Sequence, residues 1–298
     1  MQASCRGVPV IYSITHDILG DPFWAVYNRG VLDAAGRHDC EVRILRPENY
    51  SAENMREVIE QAVHEKPDGL LCTIPDAAVL EKSLRSAAEK GIALIAANAR
   101  DQRADGERIP CLLYIGGEDR AGGKLAGRRL QASGRARNVI CFDHYVTDQS
   151  CHSDRFAGLA ESIASGGGTC RRVRIPGHDG NAAALTVRRT IDNDPDVDGV
   201  VTLGPPGAKA LFDSGLDFRQ IPHVSFDISR DQLSALRDHR LLAIIDSQQY
   251  LQGFLGIQLL VLYLRFGLLP TTDILTGPAI VETSNLEKAE MAFATGTR

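Results

Sequence analysis

The sequence lacks the short motifs that mark the common phosphate, hydrolase and metal enzymes. Gly123-Lys124 is followed by Leu125 rather than Ser or Thr, so there is no Walker A loop. No G-x-G-x-x-G follows the first predicted strand, no G-x-S-x-G elbow occurs, and His64-Glu65 has no second histidine at zincin spacing. Because these motifs are all missing, we expect no enzymatic activity, no cofactor and no metal site.

An excess of positive charge is also missing. Lys and Arg number 33 against 38 Asp and Glu, which gives a formal net charge of −5. Binding to a nucleic acid backbone depends on neutralising phosphates with basic side chains, so this balance argues against a nucleic acid partner. No helix-turn-helix pattern precedes Val8, which also disfavours DNA contact.

The seven cysteines lack the spacing of a metal site or of a redox motif. No pair forms C-x-x-C, and the odd number leaves at least one cysteine unpaired within a single chain. Cys72, Cys111 and Cys141 fall in apolar, strand-like runs, where a free cysteine packs as a small apolar side chain. A chain of 298 residues can bury a large core and does not need a disulfide framework.

Neither a secretory leader nor a membrane span is visible in the sequence. Residues 1–6 lack the basic and apolar regions of a signal sequence, so the chain is either cytoplasmic or begins near its mature start. Residues 250–269 are apolar but include Gln252, Gln258 and Arg265, which predicts a buried core helix instead of a membrane span. We therefore expect a protein that is not embedded in the membrane.

Short β-branched runs alternate with segments of helical period along most of the chain. The predicted strands cover residues 8–14, 40–45, 69–73, 92–97, 111–115, 138–142, 170–175, 199–203, 223–226, 242–245 and 279–281. Between them lie amphipathic helices, as in the stripe formed by Met55, Ile59 and Val63. Because a βα unit returns the chain to the same end of the sheet, the strands should pair in parallel. About eleven strands are more than a single doubly wound sheet usually contains, which predicts two α/β lobes.

Aromatic and polar side chains follow the early strands at their carboxyl ends, where open α/β sheets bind ligands. Asp21-Pro22 fits a helix start and places Phe23 and Trp24 in the first turn. Adjacent rings on a helix point in different directions, so one can stack on a ligand while the other packs in the core. Asn98 ends the fourth strand and serves either a ligand or a local Asx turn.

The later strands end in histidines, acids and amides. His144 and His152 follow the sixth strand, and each is either solvated or in contact with a ligand. Asp246 and Gln248 follow the tenth strand, where they form either hinge hydrogen bonds or ligand contacts. Their position makes all four candidates for the recognition of a polar solute.

Asp227 is the most informative of these polar residues. It ends the ninth strand, and the following helix has its own predicted capping box in Ser229 and Gln232. Asp227 is therefore not needed as a cap, and its carboxylate can accept hydrogen bonds from ligand hydroxyl groups. The predicted ligand-binding set is Phe23, Trp24, Asn98, His152, Asp227, Asp246 and Gln248.

These stretches resemble the ribose-type, sugar-binding periplasmic binding proteins of ABC importers, which share a fold with the effector domains of LacI-type repressors. The resemblance covers nearly the whole chain and depends on the order and spacing of its pieces. They are Asp21-Pro22-Phe23-Trp24, Asp68-Gly69-Leu70-Leu71, Ile115-Gly116-Gly117-Glu118-Asp119, residues 121–127, Phe226-Asp227, residues 245–254 and residues 260–267.

The resemblance implies a type 1 periplasmic binding protein fold with two Rossmann-like lobes, parallel sheets and a three-crossover hinge. The implied lobes are residues 1–116 plus 249–272 and residues 117–248 plus 273–298. By position, Phe23 and Trp24 match the ring-stacking aromatics of the family, Asp227 matches an acid that binds sugar hydroxyls, and Asn98 matches a polar contact.

The sequence departs from the ribose binders at three places. Ser153 stands about where they have an arginine, residues 204–207 replace an Asn-Asp pair, and Ser247 replaces a glutamine. Losing these contacts argues against ribose itself, so the resemblance implies a different monosaccharide, a polyol or another small hydroxylated solute.

The function implied is that of a periplasmic, monomeric solute-binding protein that closes around a monosaccharide or sugar alcohol and delivers it to an ABC transporter permease. The alternative is a cytoplasmic sugar-sensing or regulatory domain of the same fold, without a DNA-binding domain. A flavodoxin-like enzyme is the third possibility, disfavoured by the missing catalytic motifs described above.

Overall fold

The chain forms two compact units in a computed structural model that describes residues 7–17, 22–134, 136–144, 150–177 and 179–298. Unit 1 comprises residues 1–116, 248–276 and 297, and unit 2 comprises residues 117–247, 277–296 and 298. Over residues 1–296, the chain therefore passes from one unit to the other three times, after Gly116, after Ser247 and after Thr276.

Twelve strands and ten α-helices alternate along the described chain. The strands are β1 (Val10–Ile14), β2 (Glu41–Leu45), β3 (Gly69–Cys72), β4 (Ala93–Ala97), β5 (Tyr114–Gly117), β6 (Asn138–Asp143), β7 (Thr169–Arg174), β8 (Gly199–Thr202), β9 (His223–Phe226), β10 (Ala243–Asp246), β11 (Ile274–Gly277) and β12 (Ala279–Val281). The helices are α1 (Pro22–His38), α2 (Ala52–Glu65), α3 (Ala77–Glu89), α4 (Asp119–Gln131), α5 (Ser150–Ser165), α6 (Gly180–Asp192), α7 (Pro205–Asp213), α8 (Arg230–Arg237), α9 (Gln249–Phe266) and α10 (Leu286–Ala294).

Each unit is built on one six-stranded sheet. The strand order is β11-β5-β4-β3-β1-β2 in unit 1 and β12-β10-β9-β8-β6-β7 in unit 2. Strands β1 to β5 pair in parallel, as do β6 to β10, whereas β12 runs antiparallel to β10. Two Rossmann-like units with parallel sheets and three passages of the chain between them confirm the predicted fold class.

The central strands are buried on both faces because helices cover both sides of each sheet. All residues of β3, β8, β9 and β10 are buried, whereas the edge strands β2 and β7 alternate between more and less exposed residues. Strands β3 and β4 read as continuous apolar runs in the sequence, whereas β8 and β9 also bury Thr202, His223 and Ser225. The candidate residues Asn98 and Asp227 lie just beyond β4 and β9, at the carboxyl ends of the strands.

Close approach of two helices in each unit depends on glycine. A Cβ atom at Gly30 of α1 would lie 2.2 Å from the carbonyl oxygen of Tyr250 on α9, and one at Gly253 would lie 2.3 Å from that of Tyr27. In unit 2, a Cβ atom at Gly123 of α4 would lie 1.9 Å from a carbonyl oxygen of α5. A distance under about 3 Å leaves no room for a methyl group, so glycine sets the spacing of both helix pairs.

Three details differ from the sequence predictions. Cys111 precedes β5 instead of lying within it, and β11 was not predicted because its four residues include Thr and Gly and only half are buried. Ser229 caps α8 as expected by accepting from the backbone N–H of Gln232 at 3.4 Å. The side chain of Gln232 instead donates to Ser225 and Phe226, so the capping box is only half formed.

The apolar stretch near the end of the chain is a core helix, as predicted. Leu259 and Leu260 of α9 pack in the same cluster as Ile11 and Ile95 of the unit 1 sheet. Within the described part of the chain, no helix is long and apolar enough to span a bilayer. The cysteines that the structure describes, Cys40, Cys72, Cys111, Cys141, Cys151 and Cys170, are all free thiols.

Candidate functional site

A buried arginine organises the carboxyl end of the unit 2 sheet. Arg155 lies on α5 and is only 6% exposed. Its Nη1 donates to Asp227 Oδ2 at 2.9 Å and to the carbonyl oxygen of Leu203 at 3.0 Å, while Nε donates to Asp119 Oδ1 at 2.8 Å. The ends of β8 and β9 and the start of α4 therefore meet at one guanidinium group.

Asp227 is held in place from several directions. Its backbone adopts the left-handed region with φ 55°, which Asp tolerates better than most residues, and its N–H donates to the carbonyl oxygen of Ile245 at 2.8 Å. The hydroxyl of Ser247 donates to Asp227 Oδ1 at 2.8 Å. The Arg155 guanidinium also lies 4.5 Å above the centre of the Phe226 ring. The carboxylate is thus fixed beside an aromatic ring.

Burial and the neighbouring charges both shift the pKa values of this cluster. Burial lowers the pKa of Arg155, but the Asp227 and Asp119 carboxylates outweigh that effect and raise it, so the guanidinium stays protonated. Burial raises the pKa of Asp119, and Arg155 opposes that rise. Two carboxylates around one guanidinium offer several acceptor lone pairs close together, which suits a ligand rich in hydroxyl groups.

A pocket of unit 2 opens beside this cluster. Its lining includes Glu118, Asp119, Phe226, Asp246, Ser247 and Pro278. Asp246, a predicted ligand contact, is 1% exposed, and its Oδ2 lies 3.0 Å from Nε of Arg298. Its carboxylate is therefore neutralised by an arginine in the same unit.

His152, another predicted contact, is buried next to the end of β6. Its Nδ1 lies 2.7 Å from Asp143 Oδ1, and the opposite carboxylate oxygen accepts from Arg172 Nε at 2.8 Å. Burial lowers the pKa of His152, and the positive charge of Arg155 acts in the same direction. The ring of His144 packs edge-on against that of His152, with 4.9 Å between the ring centres.

In unit 1, aromatic rings gather at the carboxyl end of β1. Trp24 is 5% exposed, and its ring centre lies 5.1 Å from that of Phe23 and 4.8 Å from that of His16. Trp24 packs in the core with Tyr27, whereas Phe23 is only partly buried. Phe23 is thus the better placed of the two predicted stacking rings. The predicted cap, Asp21, lies outside the described residues.

Neutral polar groups complete this end of unit 1. His16 Nδ1 lies 2.9 Å from the Thr73 hydroxyl, and burial lowers the pKa of His16 to about 4, so the ring is uncharged at neutral pH. The imidazole also faces the Tyr50 ring at 5.8 Å. Rings without charge can pack on the C–H faces of a sugar or polyol.

Asn98 and Gln248 belong to an amide network of unit 1. Asn98 has φ 62°, its Nδ2 donates to Gln252 Oε1 at 3.1 Å, and its carbonyl oxygen accepts from the Tyr114 hydroxyl at 2.7 Å. Gln252 in turn donates to the Thr276 hydroxyl at 3.2 Å, and Gln248 donates to the Thr276 carbonyl oxygen at 2.5 Å. The network ties the end of β4 to α9 and β11.

Arg155 is the functional candidate that sequence reasoning missed. Ser153 stands about where the ribose binders have an arginine, so the sequence suggested that this contact was lost. In the structure, Arg155, two residues further on, donates to Asp227. A signal was present, since Arg155, Leu159 and Ile163 recur every four residues on α5, and the two aliphatic residues are fully buried. That spacing places the arginine on the buried face of the helix.

Comparison with solved structures supports the same fold. A carbohydrate transporter from Acidothermus cellulolyticus 11B, in complex with myo-inositol, is 26% identical with a TM-score of 0.86, over 98% of this chain and 100% of that chain. A periplasmic sugar-binding protein from Legionella pneumophila is 24% identical with a TM-score of 0.80, over 90% and 99%. A solute-binding protein from Agrobacterium vitis, bound with α-D-tagatopyranose, is 21% identical with a TM-score of 0.80, over 96% and 98%.

None of the curated proteins matches the chain significantly. A family model does match, however, and it describes the periplasmic binding protein domain. The match covers residues 13–268 and so includes most of both units. Proteins of this kind bind solutes and catalyse no reaction, in agreement with the missing catalytic motifs. Fold, strand-end site and family match agree, and the chain belongs to the periplasmic binding protein family.

Proposed function

We propose that this chain is the solute-binding protein of an ABC importer and that it binds a monosaccharide or sugar alcohol for delivery to a permease. The observation that carries the proposal is the fixed carboxylate of Asp227, held by Arg155 and Ser247 beside the Phe226 ring. The Asp227 carboxylate has acceptor lone pairs for hydroxyl groups, and the partly buried Phe23 ring of unit 1 is a candidate for packing on C–H faces, which together suit a carbohydrate.

The proposed ligand contacts extend the sequence prediction. Asp227, Asp119 and Arg155 provide charged hydrogen-bonding groups in unit 2, and Phe23 and Asn98 provide a ring and an amide in unit 1. The earlier candidates Trp24, His152, Asp246 and Gln248 stay in the proposal as supports for these groups, because Trp24, His152 and Asp246 are at least nine-tenths buried and Gln248 bonds to the backbone of β11.

The proposed lobes are residues 1–116 plus 249–272 and 117–248 plus 273–298, with the ligand touching both. In the proposed mechanism, a ligand that touches both lobes stabilises a closed state through its higher affinity for that state. Residence in the periplasm and a monomeric state complete the proposal, and cell fractionation with sizing of the purified protein tests both. Recovery in the cytoplasm would favour a sugar-sensing domain of the same fold.

Ligand screening tests the solute class. The relative from Acidothermus holds myo-inositol, so cyclic polyols should be screened first, followed by pentoses, hexoses and linear polyols. Thermal unfolding provides a readout, because a ligand at about 100 times its Kd adds about 2.7 kcal/mol to the free energy of unfolding. A panel in which no polyhydroxylated compound raises the melting temperature would contradict the carbohydrate assignment.

Asp227→Asn tests the residue on which the proposal depends. The amide keeps the size of the side chain but loses the charge, and we expect the affinity for the best ligand to fall by roughly five- to 150-fold. Asparagine is preferred to alanine because alanine would leave the Arg155 guanidinium short of a buried partner. Calorimetry on both proteins measures the change.

The control for this substitution is Asp217→Asn. Asp217 also pairs with an arginine, Arg219, but its side chain is 50% exposed. We expect this variant to bind the ligand as the unaltered chain does. Equal affinities for all three proteins would show that Asp227 does not contact the ligand.

A further inference from the structure

Two histidines and an aspartate of unit 2 form a cluster at the end of β6, and none of the three is among the groups proposed to contact the sugar directly. Asp143, His144 and His152 can each offer one ligand atom, and these atoms lie within 4.8 Å of one another. Asp143 is the last residue of β6, and His152 lies in the first turn of α5. Regular secondary structure therefore fixes two of the three members.

From this geometry we infer that Asp143, His144 and His152 bind a divalent transition metal ion such as Zn²⁺. His152 Nδ1 and Asp143 Oδ1, which are 2.7 Å apart, share one proton. The metal takes the place of that proton, which moves through solvent to Nε2, so that the neutral ring bonds to the metal through Nδ1 and Asp143 bonds to it through Oδ1. A ring nitrogen of His144 is the third ligand.

Arg172 prepares the carboxylate for this role. Its Nε donates to Asp143 Oδ2 at 2.8 Å, so that the other oxygen, Oδ1, faces His152. Outer hydrogen bonds of this kind orient ligands in known metal sites.

The ligand atoms predict which metals bind. The cluster offers one carboxylate oxygen beside two imidazole rings, whereas Ca²⁺ and Mg²⁺ depend on several oxygen ligands. Imidazole nitrogen favours Zn²⁺, Ni²⁺ and Cu²⁺.

Calorimetric titration of the full chain after treatment with a chelator tests this inference. We expect the protein to bind a single Zn²⁺ ion and to show no heat of binding with Mg²⁺ or Ca²⁺. His144→Ala and His152→Ala should each weaken Zn²⁺ binding by about 10- to 100-fold, the scale seen when a metal site loses a supporting group. His64→Ala removes an exposed histidine of α2 and should change nothing.

Two outcomes would overturn the inference. Zn²⁺ affinity that survives both His144→Ala and His152→Ala would place the metal elsewhere, and loss of binding in His64→Ala would point to an adventitious surface site. Because His152 is buried, circular dichroism must show that its variant folds, and the partly exposed His144 provides the test if it does not. The titration contains no sugar, so failure of the sugar proposal leaves its outcome unchanged.

Discussion

At the scale of single residues, unit 2 buries a hydrogen-bonded chain of polar side chains between its sheet and α8. His223 Nε2 lies 2.8 Å from the Thr202 hydroxyl, which donates to Ser225 at 2.7 Å, and Gln232 donates to the same serine at 2.7 Å. The Thr202 hydroxyl thus contacts both the imidazole and the Ser225 hydroxyl. A second proton would give the ring a positive charge, and a buried positive charge of this kind is unfavourable in the core.

This arrangement predicts how stability depends on pH. Burial lowers the pKa of His223 from 6.5 to about 3, so below pH 6.5 the unfolded chain binds a proton at this residue and the folded chain does not. The contribution of His223 to the free energy of unfolding is fully present above pH 6.5. It is lost as the pH falls from 6.5 towards 3, with a slope of at most about 1.4 kcal/mol per pH unit. Urea unfolding should therefore show a steeper acid loss for the unaltered chain than for His223→Gln.

His64→Gln serves as the control, because His64 is exposed. His16 and His152 also have lowered pKa values, so the His223→Gln variant keeps part of the acid sensitivity. Parallel pH profiles for the unaltered chain and His223→Gln would show that His223 does not govern this range.

Only some of the site residues could be predicted from the sequence. The sequence predicted that Phe23 and Trp24 point in different directions, because they are adjacent on a helix, but only the structure shows that Trp24 is the core ring. Arg155 could not be selected with confidence from one sequence, because its role depends on Asp119, Asp227 and Leu203, which lie 36 to 72 residues away. Such a cluster exists only once the sheet has formed.

At the scale of elements, the glycine-spaced helix pairs give each unit a tightly packed face. Gly30 and Gly36 share α1 and allow a direct comparison. A Cβ atom at Gly30 would lie 2.2 Å from the Tyr250 carbonyl oxygen, whereas one at Gly36 would meet nothing within 4 Å. The same substitution should therefore have opposite effects at two positions of one helix.

We expect Gly30→Ala to destabilise the fold by about 1–3 kcal/mol or more, because α1 and α9 must separate to admit the methyl group. Gly36→Ala should stabilise it by about 0.5–1 kcal/mol, since alanine is the better helix former at an exposed position. Chemical denaturation measures both. A Gly30→Ala variant as stable as the unaltered chain would mean that the two helices are not packed this closely.

Elements were easier to predict than sites. The apolar runs of β3 and β4 carry their own signal, because strands covered by helices on both faces are mostly apolar. Strand β11 has no such signal, since it is a half-exposed edge strand of four residues. Its pairing is decided by contacts with β5 that only the folded unit provides.

At the scale of the whole molecule, unit 1 is completed by a distant part of the chain. Ile257 and Leu260 of α9 pack with Ile11, Leu71 and Ile95 on one face of the unit 1 sheet. Without α9, that face would expose its large aliphatic side chains to water, at a cost of roughly 1.5–3 kcal/mol for each. Residues 1–116 by themselves should therefore fail to form a stable fold.

The fragment comparison is straightforward. A chain of residues 1–116 should show little cooperative thermal unfolding and should bind a dye for exposed apolar surface, whereas the full chain should unfold cooperatively and exclude the dye. A cooperatively folded fragment would show that α9 is dispensable for unit 1.

The return of the chain to unit 1 for residues 248–276 also has a consequence for synthesis. A ribosome must translate residues 117–247 of unit 2 before the segment that completes unit 1 emerges, so residues 1–116 remain without that segment during much of translation. During that time the apolar face that α9 later covers is exposed to proteases and to chance association with other nascent chains.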